Sequence, residues 1–283
     1  MNDFLQHWNL VAKPFEATWD TRFYFRSPQH SEALERLFYL AHERSMNLGM
    51  LTGEIGCGKT ITGALLSQSL DPAEYLVAVC ENSGFSLNDL LGAVLAKIDP
   101  AAALVQDNTF ARCERLRAVA EAAANEGRHV IILLDEAQDM APDTLRQLAW
   151  LTNFNGSGLP LLSLILMGQP DLREKVQAAP SICQRIGLHY HLTPLCADSS
   201  AGYLEHRLRA AGHEDGQIFT PEAAAMLHVF SQGVPREINR LAKLAMEHAW
   251  ALNLTRVSDA ILHEVLCDAY RQYHAQPFLS AKS

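Results

Sequence analysis

Residues 53–60 read Gly-Glu-Ile-Gly-Cys-Gly-Lys-Thr, and what flanks them decides how they are understood. The octapeptide satisfies G-x-x-x-x-G-K-[ST], a glycine-rich turn whose backbone N–H groups face nucleotide phosphates. Before it stands Asn47-Leu48-Gly49-Met50-Leu51-Thr52, short and mostly apolar like a buried strand. After it, Ile61 to Gln68 reads as a helix. That order is what the chemistry requires, because a helix N-terminus presents unpaired N–H donors and the positive end of the helix dipole. Gly53, Gly56 and Gly58 permit torsions and close approaches that a Cβ blocks, while Glu54, Ile55 and Cys57 fill the variable positions and Ile61 follows the motif. Lys59 is expected to reach the β- and γ-phosphates of ATP, and the Thr60 hydroxyl to ligate Mg²⁺. Cys57 is either a thiol made reactive by its loop or a small filler, and the filler is the plainer expectation.

Strand and helix signals alternate on both sides of this loop. Ser31–Arg44 has apolar residues at helical spacing, Tyr75–Cys80 reads as strand, and Ser86–Ile98 and Asn108–Glu126 read as helices. His129–Leu134 reads as strand, β-branched or aliphatic at every position after His129, and ends in Asp135-Glu136; Asp143–Phe154 reads as helix, Leu161–Met167 as strand, and His189–Leu192 as a last short strand. Strands without alternation, separated by helices, predict an α/β fold with a parallel sheet covered on both faces. From about Thr193 only helices are expected, over Asp198–Ala211, Pro221–Ser231, Pro235–Leu252 and Ser258–Tyr270. The expected organisation is an aromatic-rich opening segment (1–29), a nucleotide domain (30–193), a small helical domain (194–275) and a tail (276–283). The opening segment, with Phe4, Trp8, Phe15, Trp19, Phe23, Tyr24 and Phe25, reads as an irregular packed layer, one or two of whose rings could border an adenine.

The second chemical signal is Asp135-Glu136. Asp135, at the C-terminal end of a buried strand, is placed to complete a Mg²⁺ shell, and Glu136 beside it to polarise the attacking water as a general base. A strand-end acidic pair alone would mean little. Joined to the phosphate loop, it predicts hydrolysis of ATP to ADP and phosphate.

Composition sets limits. The formal net charge of −9 argues against a protein that coats nucleic acid by bulk electrostatics. The longest apolar run, Leu159–Met167, is about half of the ~20 residues of a membrane span, so no integral membrane segment is expected. No signal-peptide pattern opens the chain, and six scattered cysteines without a C-x-x-C pair suit a cytoplasmic protein without zinc or disulfides. His129, His189, His191, His206, His213 and His228 show no ligand spacing and read as surface or boundary residues.

Taken together, HWNLVAKPFEATWDTRFYF and HSEALERL, then LTGEIGCGKT, LLDEAQ, LRQLAWLTNF, ILMGQPDL, QRI, IFTPEA and GVPREINRL resemble the bacterial ExeA/GspA type of AAA+ ATPase over nearly the whole chain. The resemblance implies a P-loop domain followed by a helical lid, homo-oligomerisation, and ATP bound between domains and often between subunits. It also implies roles for three residues. Gln169 would be a polar sensor at a strand tip, Arg236 a lid arginine that touches the phosphates, and Arg185 the arginine offered to a neighbouring subunit, with Arg173 as runner-up. Secretion-type members continue into a membrane segment and a peptidoglycan-binding region; the resemblance here ends with the lid, so it carries no cell-wall role over to these residues. Besides a pure nucleotide switch with negligible turnover, two readings stay open. One is an assembly ATPase for a secretion or type IV pilus apparatus. The other is a TnsC/IstB-like, ATP-dependent regulator of a transposase that binds DNA, for which Arg207, Arg209, Arg236, Arg240 and Lys243 could supply part of a basic surface.

Overall fold

The computed structural model describes residues 2–16, 20–81, 84–100, 108–156 and 158–275; Trp19 and the tail 276–283 lie outside them. The chain divides into two units, Pro28–Thr193 and Met1–Ser27 together with Pro194–Ser283. A short helix α1 (Asn2–His7) opens the second of these. The sheet unit follows, beginning with α2 (Pro28–Glu43), β1 (Leu48–Gly53), α3 (Lys59–Ser69), β2 (Tyr75–Cys80), α4 (Leu87–Ile98), α5 (Thr109–Asn125) and β3 (His129–Leu134). It continues through α6 (Pro142–Leu151), the two-residue strands β4 (Asn155–Gly156) and β5 (Leu159–Pro160), β6 (Leu162–Gly168), α7 (Asp171–Gln177), α8 (Pro180–Cys183) and β7 (Leu188–Leu192).

Five parallel strands lie in the order β2-β3-β6-β1-β7. The three central strands β3, β6 and β1 are buried along their whole length because helices cover both sides, whereas the edge strand β7 carries the half-buried His189 and Tyr190 and the exposed His191. Along β3, Val130, Ile132 and Leu134 pack beneath α4, α5 and α6, whereas Ile131 and Leu133 turn to α2 and α3. Local chemistry sets the helix limits. The Ser86 hydroxyl accepts from Asp89 N–H at 3.3 Å and starts α4, and Asn108 Oδ1 accepts from Ala111 N–H at 2.9 Å and starts α5. Helix α6 stops at Leu151, short of the expected Phe154. There the Thr152 hydroxyl donates to the Ala149 carbonyl at 2.7 Å, and the chain turns into the β4–β5 hairpin.

Two sequence expectations fail inside the cores. His129, read as a boundary residue, is 2% exposed and bonded to Ser163 Oγ at 3.0 Å. Burial lowers its pKa to about 4. The folded protein therefore holds this imidazole neutral where the unfolded chain would protonate it. The stability that depends on the neutral ring is complete above pH 6.5 and is lost as the pH falls from 6.5 towards 4, by about 3 kcal/mol. Urea unfolding midpoints measured across that window should slope for the wild type and slope less for His129→Gln, which keeps a partner for Ser163 without a titrating ring; the remaining slope belongs to other buried rings such as His30.

The second failure concerns Arg207. The helical unit consists of α1, α9 (Ala197–Ala210), α10 (Pro221–Ser231), α11 (Pro235–Ala251) and α12 (Asp259–Ala275). Its core joins Leu204, Leu208, Leu227, Ile238, Leu241 and Met246 to Trp8, Phe15 and Phe23 of the opening segment. Arg207 is 4% exposed, so it belongs to no basic surface. Its Nε donates to the Pro14 carbonyl at 2.6 Å and its Nη2 to the Glu16 carbonyl at 2.8 Å, with Phe23 4.7 Å away across its plane. A guanidinium can be buried without a carboxylate when carbonyl dipoles and an aromatic face share its charge. Here it pins the opening segment to α9.

Candidate functional site

The site is built at the C-terminal ends of the strands. From β1 the chain leaves through the glycine loop into α3, which covers the α2 face. From β6 it leaves through Gln169 and Pro170 into α7, which covers the other face. Neighbouring strands whose connections diverge in this way open a crevice at their carboxyl ends. Because β6 lies between β1 and β3, its tip separates the glycine loop from Asp135-Glu136.

Gly56 and Gly58 have φ of 84° and 100°, left-handed torsions that favour glycine. Gly58 is also closely covered, since a Cβ there would stand 2.7 Å from His30 Nε2. Lys59, the first residue of α3, is 6% exposed and donates to the carbonyls of Gly53 at 2.7 Å and Glu54 at 3.0 Å. Burial lowers the pKa of its ammonium, against the opposing pull of the negative charges at Glu136 and Asp135. Thr60 follows Lys59 and makes a side-chain hydrogen bond with the carboxylate of Asp135. Asp135 is itself buried, and burial raises its pKa against the bonds it accepts from Thr60 and from the Glu136 N–H at 2.9 Å. The two residues assigned to the metal from sequence are thus brought together as a pair of oxygen donors, the ligand type that Mg²⁺ prefers. Glu54 and Ile55 are exposed and Ile61 half-buried. Cys57 is buried, and burial pushes its thiol pKa up, which makes it a filler and not a nucleophile.

Glu136 sits in a left-handed conformation, φ 50°, at the turn after β3. Its carboxylate is held by Gln138, whose Nε2 donates to Glu136 Oε2 at 2.7 Å. The other end of the same amide accepts the backbone N–H of Gln169 at 3.0 Å, and Lys175 Nζ donates to the Gln138 carbonyl. Gln138 therefore ties the acidic turn to the tip of β6. A Cβ at Gly168 would stand 2.7 Å from Gln138 Oε1, so the glycine makes room for this link. Neither Gln138 nor His30 is evident in the sequence as a site residue. Gln138 closes the stretch LLDEAQ two residues after Glu136 and His30 opens HSEALERL, so both lie in the resemblance, but nothing local attaches a role to either.

The arginines are placed differently. Arg185 is exposed and donates to the Ser181 carbonyl at 3.0 Å, to Asn153 Oδ1 at 2.8 Å and to Thr152 Oγ1 at 3.3 Å. The Thr152 carbonyl in turn accepts from Asn47 Nδ2 at 2.7 Å, just before β1 begins. Arg185 thus belongs to the strand-start end of the sheet, opposite its own glycine loop. Arg173 is exposed on α7. Gln169 is half-buried at the tip of β6, and Arg236 is exposed in the first turn of α11 without an ion pair to any described residue.

Residues 42–176 match the AAA domain family. Over 268 residues the chain is 34% identical to General secretion pathway protein A of Aeromonas hydrophila, an alignment covering 92% of this chain and 46% of that protein. The chain is GspA-like and carries an AAA domain. It spans about half the length of that relative. In fold it resembles the ORC2 protein of Aeropyrum pernix, with a TM-score of 0.64 at 17% identity over 88% of this chain and 71% of that one. Cdc6p of Pyrobaculum aerophilum gives the same TM-score at 18% identity, over 88% and 68% of the two chains. The GspA-like chain thus has the P-loop AAA+ fold, a parallel sheet between helices followed by an all-helical region. Among its described residues no helix is long and apolar enough to cross a membrane.

Proposed function

We propose that this GspA-like protein binds ATP with Mg²⁺ on the loop 53–61, hydrolyses it, and uses the nucleotide state to drive assembly of a partner apparatus, of the secretion or type IV pilus kind, in the cytoplasm. The observation that carries this reading is the joining of Lys59, Thr60, Asp135 and Glu136 at one end of the sheet. The loop N–H groups and Lys59 hold the β- and γ-phosphates, with Lys59 exchanging the Gly53 and Glu54 carbonyls for phosphate oxygens. Thr60 and Asp135 are the residues that would hold Mg²⁺, which when bound offsets negative charge on the phosphates. Glu136 takes the proton of the attacking water, kept in place by Gln138, and Gln169 reports the state of that clamp through its own backbone. Arg236 is assigned to the phosphates in the closed state and Arg185 to the loop of a neighbouring copy. The position of Arg185 at the far end of its own sheet suits such a role in trans.

A transposase regulator that binds DNA is the second reading, and the arginine pairing disfavours it. Of the five basic residues proposed for a DNA surface, Arg207 is buried, while Arg209, Arg240 and Lys243 pair with Glu205, Glu237 and Glu16 at 3.7, 2.9 and 2.8 Å. Light scattering separates the two readings. We expect ATP and Mg²⁺ to raise the particle mass to a multiple of the monomer, and duplex DNA to add nothing. Retention of DNA that requires ATP and weakens steeply with salt would establish the second reading instead.

A further inference from the structure

We propose that His30 is a positioning residue for the phosphate loop, acting through the Cys57–Gly58 peptide; the proposal rests on the nucleotide-binding reading above. His30 is the third residue of α2, directly after the point where the chain enters the sheet unit at Pro28. Its ring is 5% exposed, and Nε2 lies 2.9 Å from the carbonyl oxygen of Cys57. A carbonyl only accepts, so Nε2 must carry the hydrogen. Burial lowers the pKa of the ring, which keeps it as the neutral Nε2–H tautomer.

The target of this bond matters more than its existence. The Cys57 carbonyl and the Gly58 N–H are the two ends of one planar, conjugated peptide. A hydrogen bond accepted at the oxygen polarises the group and makes its N–H a stronger donor. That N–H belongs to the loop that cradles phosphate. The ring also covers Gly58 so closely that no side chain fits there, and with φ at 100° the peptide has one orientation to hold. His30 therefore does two things from outside the motif. It fixes the rotation of the Cys57–Gly58 peptide, and it strengthens the donor which that peptide offers to an anion. It touches no reacting atom, so its effect belongs to nucleotide affinity and not to the chemical step.

The test compares His30→Phe, similar in size without a donor, with His30→Gln, which retains one, in the full chain. Folding is checked by circular dichroism and thermal melting. We expect His30→Phe to raise the KM for ATP and the Kd for a fluorescent ADP analogue by about five- to tenfold, with kcat unchanged within about twofold. His30→Gln should recover most of that loss. Equal impairment of both folded variants, a fall in kcat at constant KM, or wild-type KM in His30→Phe would each overturn the proposal. Should His30→Phe not fold, long-range ¹H–¹⁵N NMR of the wild type decides. The Nε2–H tautomer, with a Gly58 amide that moves on adding ADP, is expected, and an Nδ1–H tautomer overturns it. Wild-type protein that binds no nucleotide at all would instead remove the reading on which the proposal stands.

Discussion

Replacing Glu136 by glutamine is expected to lower steady-state phosphate release by about 10²- to 10⁴-fold while leaving ATP affinity nearly unchanged. The side chain keeps its size and its amide oxygen can still accept from Gln138 Nε2, so the left-handed turn after β3 is preserved. What disappears is the carboxylate that receives a proton from water. On the proposed assignment Asp135, buried and bonded to Thr60 and to the Glu136 N–H, does not replace it, because it would be holding Mg²⁺. The variant should therefore hold ATP without turning it over, and ATP-dependent assemblies should outlast those of the wild type. Phosphate release followed with a coupled enzyme assay, beside nucleotide retention on a desalting column, checks both halves. Wild-type turnover in Glu136→Gln would remove this residue from the chemistry.

Lys59→Ala should have the largest effect on binding, with ATP affinity falling about 10²-fold or more. The ammonium is the cation buried in the loop, and its two carbonyl partners, Gly53 and Glu54, are groups of the loop itself. Those carbonyls give it a seat, while phosphate oxygens would give it full counter-charge, so the difference between the two states favours the nucleotide. Without nucleotide the same substitution should be mild. It removes two hydrogen bonds but also the cost of burying a cation, a cost visible in the lowered pKa of Lys59. Melting temperatures with and without ATP and Mg²⁺ separate the effects. The wild type should rise on adding nucleotide, and Lys59→Ala should begin close to the wild type and not rise. Lys59→Arg is expected to fail as well, since a planar guanidinium does not fit a seat shaped for a compact ammonium.

Much of this architecture is legible in the sequence because the signals are local. The run Val130–Leu134 is aliphatic at every position, which requires a strand covered on both faces, and α2 and α3 on one side with α4, α5 and α6 on the other supply the cover. Ser86 and Asn108 mark helix starts through bonds that reach three residues along the chain. The glycine loop and the acidic pair carry their meaning in residue type and order alone. What stays hidden depends on partners distant in sequence. His30 acquires a role only because α2 packs its third residue against a loop 27 positions later. Arg207 sits in a polar helical pattern like any solvated arginine, and only the return of Pro14 and Glu16 buries it. His129 opens a strand, where a polar residue ordinarily meets water; here Ser163 on the neighbouring strand unit receives it inside the sheet. Gln138 shows an intermediate case, because its reach to Glu136 is local while its reach to Gln169 spans 31 residues.

The central claim is that Lys59, Thr60, Asp135 and Glu136 form one hydrolytic site, and phosphate release from ATP by the purified wild-type protein tests it most directly. Slow, Mg²⁺-dependent release that is abolished by EDTA and by Glu136→Gln, in a protein that still binds ATP when that residue is changed, is the result expected. ATP bound with micromolar affinity and no release above the Glu136→Gln background would contradict the claim and leave the loop as a binding switch alone.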